Sequence, residues 1–259
     1  MLCAEAVSLA RMGEMGRAEM RALYGEWAPR TSRDAAALMD GFDGDWWVAG
    51  GRALEAFTGV EREHDDLDVA ILRADLPAFR DHVRGRFHVW AAFAGALKPV
   101  LPDDPDELPD GCGQVWLRPD AGSPWEFDVL LNPGSAGEWV NRREPQMTLA
   151  LDDAAWVDTD GVRWLNPEIV LLLKAKHLRA KDRADFAAAL PLLGEDQRAW
   201  LGEALAWAHP GHEWLARLEG EPDARHTGLE GLPPIDRARR HSHRRSRENS
   251  DRGGDGHQT

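Results

Sequence analysis

Between Trp46 and Leu72 the chain reads WWVAGGRALEAFTGVEREHDDLDVAIL, and this stretch leaves few folds open. A short apolar run, Trp46 to Ala49, predicts a buried strand. It breaks at Gly50-Gly51, and an amphipathic segment from Arg52 to Phe57 follows directly. A Thr58-Gly59 turn and a charged loop then lead to Asp66-Leu67-Asp68-Val69-Ala70-Ile71-Leu72, whose start alternates with the period of a strand. Asp66 and Asp68 therefore share one face, while Leu67, Val69 and Ile71 turn to a core. Two carboxylates side by side on a rigid strand repel each other unless a cation sits between them. Hard oxygen ligands of this kind suit Mg²⁺, shared with substrate phosphates. The paired glycines bring bare backbone N–H groups to a helix N-terminus, where an anion is favoured. Either motif alone is common in turns and caps. Their order, strand, Gly-Gly, helix, loop, Asp-x-Asp strand, carries the information.

That order resembles the nucleotidyltransferase superfamily typified by DNA polymerase β, whose signature is hydrophobic-Gly-(Gly/Ser), a spacer, then Asp-hydrophobic-Asp-hydrophobic. More narrowly, WWVAGGRALEAF…REHDDLDVAI looks like the small antibiotic nucleotidyltransferases, particularly the aminoglycoside 2″-adenylyltransferase-like group. So do PEIVLLLKAKHLRAKDRADF and LPLLGEDQRAWL further on. The resemblance implies an enzyme that moves a nucleoside monophosphate, AMP from ATP or the equivalent from another NTP, to a hydroxyl of a small acceptor such as an aminoglycoside-like antibiotic. It implies two Mg²⁺ ions held by Asp66 and Asp68, with a third carboxylate from a neighbouring strand. It also implies nucleotide contacts at Gly50, Gly51 and Arg52. Relatives usually carry Trp where this chain has Arg52, which leaves the acceptor open.

The third carboxylate lies in Trp125-Glu-Phe-Asp-Val-Leu-Leu131, again of period two. Glu126 and Asp128 share its polar face, and the pattern alone does not separate them. A hairpin from Gln114 to Leu131 beside the Asp66 strand would deliver either one. The family pattern, hydrophobic-Asp-hydrophobic before a loop, matches Asp128. Glu126 remains the competitor, or a cross-strand charge partner.

Around this centre, helices are expected over residues 1–26, from Ser32 as a cap to Met39, and over Asp75 to Arg86. Strands are expected at Phe87 to Trp90, Gln114 to Leu117, Met147 to Leu151, Ala155 to Val157 and Val162 to Leu165, with loops over Leu101 to Gly111 and Pro133 to Arg143. The adjacent Arg142 and Arg143 read either as a basic site facing the nucleotide or as a surface pair. Asn166-Pro167-Glu168 starts a helix by N-cap, first-turn proline and acidic dipole partner. That helix is predicted to run to about Lys181, followed by three more, around Asp182–Leu193, Glu195–Ala208 and His212–Leu218. The chain has 27 Arg and four Lys, and three of the four are Lys174, Lys176 and Lys181. Where nearly every cation is Arg, a lysine cluster asks for a compact ammonium. Lys174 is thus assigned to the triphosphate or the leaving pyrophosphate, and Lys181 to an ion pair with Asp185 one turn on. His64 is read as a loop brace. From about Asp223 few apolar residues remain and disorder is expected, with His241 and His243 incidental.

Composition bounds the rest. No apolar run reaches the length of a membrane span, and Cys3 and Cys112 are too few for a disulfide framework, so a cytoplasmic, reducing setting is expected. The first residues, MLCAEAVSLARMGEMG, carry acidic residues where a secretory signal would be basic and lack a continuous apolar region, so no such signal is expected in them. A net charge of −14 disfavours nucleic acid as partner. The expectation is an α+β protein: a mixed nucleotidyltransferase sheet flanked by helices in residues 1–165, a small helical bundle in 166–222, and a tail from 223 to 259. Two alternatives stay open, a non-catalytic nucleotide-binding or toxin–antitoxin component of the same fold, and a transferase acting on protein or RNA.

Overall fold

The computed structural model of the chain describes residues 17–104 and 108–220. The expectations for residues 1–16, for 105–107 within the acidic loop, and for the tail with His241 and His243 lie outside these residues.

The described chain is an α+β fold built on a mixed sheet. Helices α1 (Arg17–Tyr24) and α2 (Ser32–Met39) precede strand β1 (Trp46–Val48), and α3 (Gly50–Thr58) follows it. Strand β2 (Asp68–Leu72) leads through a short 3-10 turn to α4 (Leu76–Val83), then β3 (His88–Phe93) and β4 (Ala96–Val100). Next come β5 (Gln114–Arg118), β6 (Phe127–Asn132), β7 (Glu138–Val140), β8 (Thr148–Ala150), the single turn α5 (Leu151–Ala154), β9 (Ala155–Val157) and β10 (Arg163–Leu165). Four helices close the described chain: α6 (Pro167–Ala175), α7 (Ala180–Ala189), α8 (Glu195–Ala208) and α9 (Leu215–Leu218). Eight strands form one sheet in the order β4-β3-β5-β6-β2-β1-β10-β9, and β7 pairs with β8 alone. β2 runs parallel to β6, and β1 runs parallel to β10. The predicted Gln114–Leu131 hairpin is β5–β6, and β6 does lie beside β2.

Alternation decides what each central strand presents. In β2, Val69 and Ile71 are fully buried in the main core with Leu67, as their period requires. Trp47 joins them. A second, aromatic cluster packs Trp116 and Trp125 with Tyr24, Trp27 and Trp90. The segment after α1 is tied to it through Trp125 Nε1, which donates to the Tyr24 carbonyl at 2.6 Å. The Arg118 guanidinium lies over both Trp90 and Trp125, 4.5 and 4.3 Å from the ring centroids.

Several local expectations are corrected. Thr31, not Ser32, is the N-cap of α2: its backbone N–H donates to Asp34 Oδ2 at 2.7 Å. Strand β7 lies inside the expected loop from Pro133 to Arg143. Strand β4 arises where no element was expected, through a two-residue Ala94-Gly95 hairpin turn with both φ values positive. The predicted helix to Lys181 is two helices. α6 stops at Ala175, Leu178 takes a left-handed φ of 46°, and α7 restarts at Ala180 with Arg179 as its cap.

Asn166, Pro167 and Glu168 do open α6 at the expected positions, but the Asn166 side chain makes no cap hydrogen bond and donates to the Asp153 carbonyl at 3.0 Å instead. Glu168 is nevertheless fully buried. Gln197 Nε2 on α8 donates to its Oε2 at 2.8 Å, while Oε1 has no partner among the described residues. Burial pushes its pKa up to about 7. Because the folded value exceeds the ordinary 4.5, the protonated form's stabilisation is complete below that pH and is lost as pH rises through about 7. Glu168→Gln is therefore expected to flatten the dependence of the urea midpoint on pH between these values. The neutral amide keeps the shape without the charge, removing a slope worth on the order of 3 kcal/mol. An unchanged slope would place the effect elsewhere.

Candidate active site

Three carboxylates meet at the centre of the sheet. Asp68 opens β2, Asp66 stands two residues before it, and Asp128 is the second residue of β6. Parallel pairing sets Asp68 directly beside Asp128 in register. One oxygen from each of Asp66, Asp68 and Asp128 lies within 4.8 Å of the others. Asp128 is buried; Gln114 Nε2 donates to its Oδ2 at 3.1 Å, and its Oδ1 is buried with no hydrogen-bond partner among the described residues. The Trp116 indole N–H leans toward the same carboxylate and favours its charge, without closing a hydrogen bond of ordinary geometry.

Burial, then mutual repulsion, dominates the electrostatics. Desolvation first and the Asp66 charge second raise Asp68 to about 7. Asp128 is pushed well above the ordinary carboxylate range by burial, Asp68 and Asp66 in that order. Asp66 is raised by burial, against which Lys181 and Lys174 pull it down. Arg142 acts in the same sense on Asp68 and Asp128. An all-oxygen donor set, a partnerless buried oxygen and carboxylates crowded enough to resist ionising fit a hard divalent cation.

The glycines are explained by sterics. Gly50 has a φ of 62°, and a methyl group there would overlap Asp68 Oδ2. A methyl on Gly51 would overlap the Arg62 guanidinium and crowd His64 at 2.8 Å. The first turn of α3 therefore lies directly against the carboxylates, with Ala49 accepting the first turn's N–H from Ala53. His64 braces the loop as expected, its Nε2 2.6 Å from Glu55 Oε2.

Other predicted residues fall differently. Arg52 is turned to Glu55 at 3.0 Å and to the Arg30 carbonyl at 3.4 Å, in the same cluster as His64. Glu126 precedes β6 and pairs with Arg30 at 2.8 Å, away from the triad's shared oxygens. Lys181 does not pair with Asp185: its Nζ stands 3.6 Å from Asp65. Lys174 takes Asp185 instead, at 3.0 Å, and Asp182 at 3.3 Å. Arg179 forks onto Asp182, and its charge is favoured by Asp66 and Asp68 as well. Sequence reasoning passed over Gln114 and Arg179. Gln114 was accessible through alternation, since it shares a strand face with Trp116, whose register partner is Asp128. Arg179 had no signal, because its position is set by the break between α6 and α7.

No protein-family model matches the sequence, and no curated protein matches it. Solved structures do. A solution structure of the antibiotic-resistance factor ANT(2″)-Ia is similar with 17% identity and a TM-score of 0.41, covering 68% of this chain and 89% of that one. A crystal structure of the lincosamide antibiotic adenylyltransferase LnuA with lincomycin bound has 15% identity and a TM-score of 0.41, covering 60% and 92%. A crystal structure of ANT(2″)-Ia in complex with adenylyl-2″-tobramycin has 15% identity and a TM-score of 0.40, covering 68% and 95%.

Two outcomes test the site. Asp68→Asn relieves like-charge crowding, so the metal-free variant is expected to melt a few degrees above the wild type, ~2–4 °C for about 1 kcal/mol in a chain of this size. Mg²⁺ should then raise the melting temperature of the wild type alone; an equal Mg²⁺ shift in the variant would move the cation elsewhere. Gly50→Ala meets both a left-handed backbone and Asp68. It is expected to lose stability by more than ~1 kcal/mol and to lose the Mg²⁺ shift as the carboxylate is displaced. A normal Mg²⁺ shift there would mean that Gly50 does not set Asp68.

Proposed function

We propose that this chain is a metal-dependent nucleotidyltransferase that moves a nucleoside monophosphate, AMP from ATP, to a hydroxyl of a small acceptor. The convergence of Asp66, Asp68 and Asp128 beside the Gly50 backbone carries the reading. Asp66 and Asp68 would hold two Mg²⁺, and Asp128 would complete one of the sites. When bound, the ions supply charge neutralisation at the phosphates.

The chain's own groups do the rest. Lys174, Arg179, Lys181 and Arg142 all act electrostatically on the carboxylates or are acted on by them, which is the arrangement a polyanionic substrate needs opposite its metal ligands. The bare first turn of α3 at Gly50-Gly51 offers N–H groups to the phosphates. Asp128 is the base. A bound cation would favour the ionised form that this role needs, and that carboxylate takes the acceptor's hydroxyl proton. The acceptor oxygen bonds to the α-phosphorus as the bond from that phosphorus to its bridging oxygen breaks, and pyrophosphate leaves with the bonding electrons. Positioning and charge supply most of the acceleration. The choice of acceptor, with an aminoglycoside-like antibiotic as the first to test, rests on the sequence resemblance.

The test is incubation of the full chain with labelled nucleotides, Mg²⁺ and a panel of antibiotics, reading pyrophosphate release and adduct mass. Asp128→Ala is expected to lower kcat by at least ~10²-fold, as loss of a general base does. Glu126→Ala should leave kcat within about threefold and act, if anywhere, on acceptor KM, because Glu126 is engaged by Arg30. Nucleotide binding without release for any acceptor would return the non-catalytic reading. Loss of kcat in Glu126→Ala with a mild Asp128→Ala would move the base.

A further inference from the structure

The loop after α3, the end of α6 and the start of α7 are joined by one alternating chain of charges. Arg62 Nε and Nη2 grip Asp185 at 2.9 and 3.1 Å. Asp185 Oδ2 lies 3.0 Å from Lys174 Nζ, which lies 3.3 Å from Asp182 Oδ1. Asp182 in turn accepts from Arg179 Nε at 2.8 Å and from the Arg179 backbone N–H at 3.1 Å. The two aspartates are 0% and 8% exposed and Lys174 is 10% exposed.

Burying such a chain is expensive, and packed apolar side chains in its place would serve stability as well or better. Its geometry points to another use. A lysine ammonium has three N–H donors. Asp182 accepts one of them and Asp185 pairs with the same ammonium, which fixes the charge in place; that charge favours ionisation of Asp66 and Asp68. At the other end, the Arg62 guanidinium lies where a Gly51 side chain would be. One carboxylate thus touches both a cation whose charge acts on the triad and the cation packed over the glycine turn.

We propose that Asp185 is a positioning residue for nucleotide binding, acting through Lys174 on one side and through Arg62 over Gly51 on the other. This rests on the nucleotidyltransferase reading. Asp185 itself touches no substrate; its carboxylate holds the Lys174 ammonium toward the phosphates and keeps the Arg62 arm seated, so the helical segment and the glycine turn present one preformed surface.

The test is calorimetric titration of the full chain with Mg²⁺ and α,β-methylene ATP, which the reaction cannot cleave. Asp185→Asn and Lys174→Gln are each expected to weaken binding by at least ~10-fold, the scale of truncating a buried charge pair. The double variant should fall clearly short of the product of the two single losses, because Lys174→Gln already removes one of the two contacts through which Asp185 acts and leaves only the Arg62 arm to lose. Binding by Asp185→Asn within about twofold of wild type, or a double variant equal to the product of the singles, overturns the proposal. Should Asp185→Asn fail to fold by circular dichroism, Arg62→Gln replaces it, its side chain being partly exposed. It is expected to weaken binding by at least ~3-fold without affecting the melt comparably, and unchanged affinity overturns the proposal. A wild-type chain that binds no Mg²⁺-nucleotide at all refutes the transferase reading and this inference with it. Binding by wild type with indifferent variants refutes this inference alone.

Discussion

Three carboxylates held within reach of one another in a partly dry setting are a standing cost to the folded chain, and much of the architecture follows from carrying it. Asp66 and Asp68 are fixed by a strand and the loop before it, and Asp128 by the neighbouring parallel strand, so none can swing away to relieve the others. Relief has to come from cations. Lys174, Lys181, Arg142 and Arg179 supply part of it from α6, α7 and the segment after β7. Those groups are themselves occupied: Arg142 donates to the Gly113 carbonyl at 2.8 Å, and Arg179 to Asp182. Burial and mutual repulsion still hold Asp68 and Asp128 above the ordinary carboxylate range, a cost that a bound divalent ion would relieve.

The second constraint is room. Helix α3 begins so close to Asp68 and Arg62 that neither Gly50 nor Gly51 has space for a side chain. That closeness brings the helix N-terminus, with its unpaired N–H groups, to the edge of the triad. Lysine use follows the same logic. Arg62 and Arg179 each make forked contacts to one carboxylate, as a planar guanidinium can, whereas Lys174 answers two carboxylates at once from a single point.

Much of this was legible in the sequence because it is local. The strand–Gly-Gly–helix–Asp-Leu-Asp order, the Glu126/Asp128 alternative and the Asn166-Pro167-Glu168 helix start each depend on a few adjacent residues and the period of one element. What was not legible depends on three-dimensional closure. Lys181 was expected to pair with Asp185 one turn on; Asp185 instead meets Lys174 across two helices, which Leu178 separates by a left-handed turn that no leucine advertises. Choosing Asp128 over Glu126 required the β2–β6 register, and Glu126 is drawn off by Arg30 from far along the chain. Strand β4 escaped because an edge strand with both faces partly open, containing Lys98 and Pro99, has no alternation to read.

The parallel pairing of β2 with β6 has a consequence for how the molecule is made. Parallel neighbours cannot be joined by a tight turn, so Asp68 and Asp128 come together only after α4, β3, β4 and β5 have been placed between them. Lys174 and Arg179 lie later still in the chain. During synthesis from the N-terminus the repelling groups therefore exist before the cations that relieve them, and the sheet's centre has reason to stay open until α6 and α7 arrive. A growing chain of this design would complete its most strained region last, with the final helices acting as the closing step of assembly as well as a wall of the site.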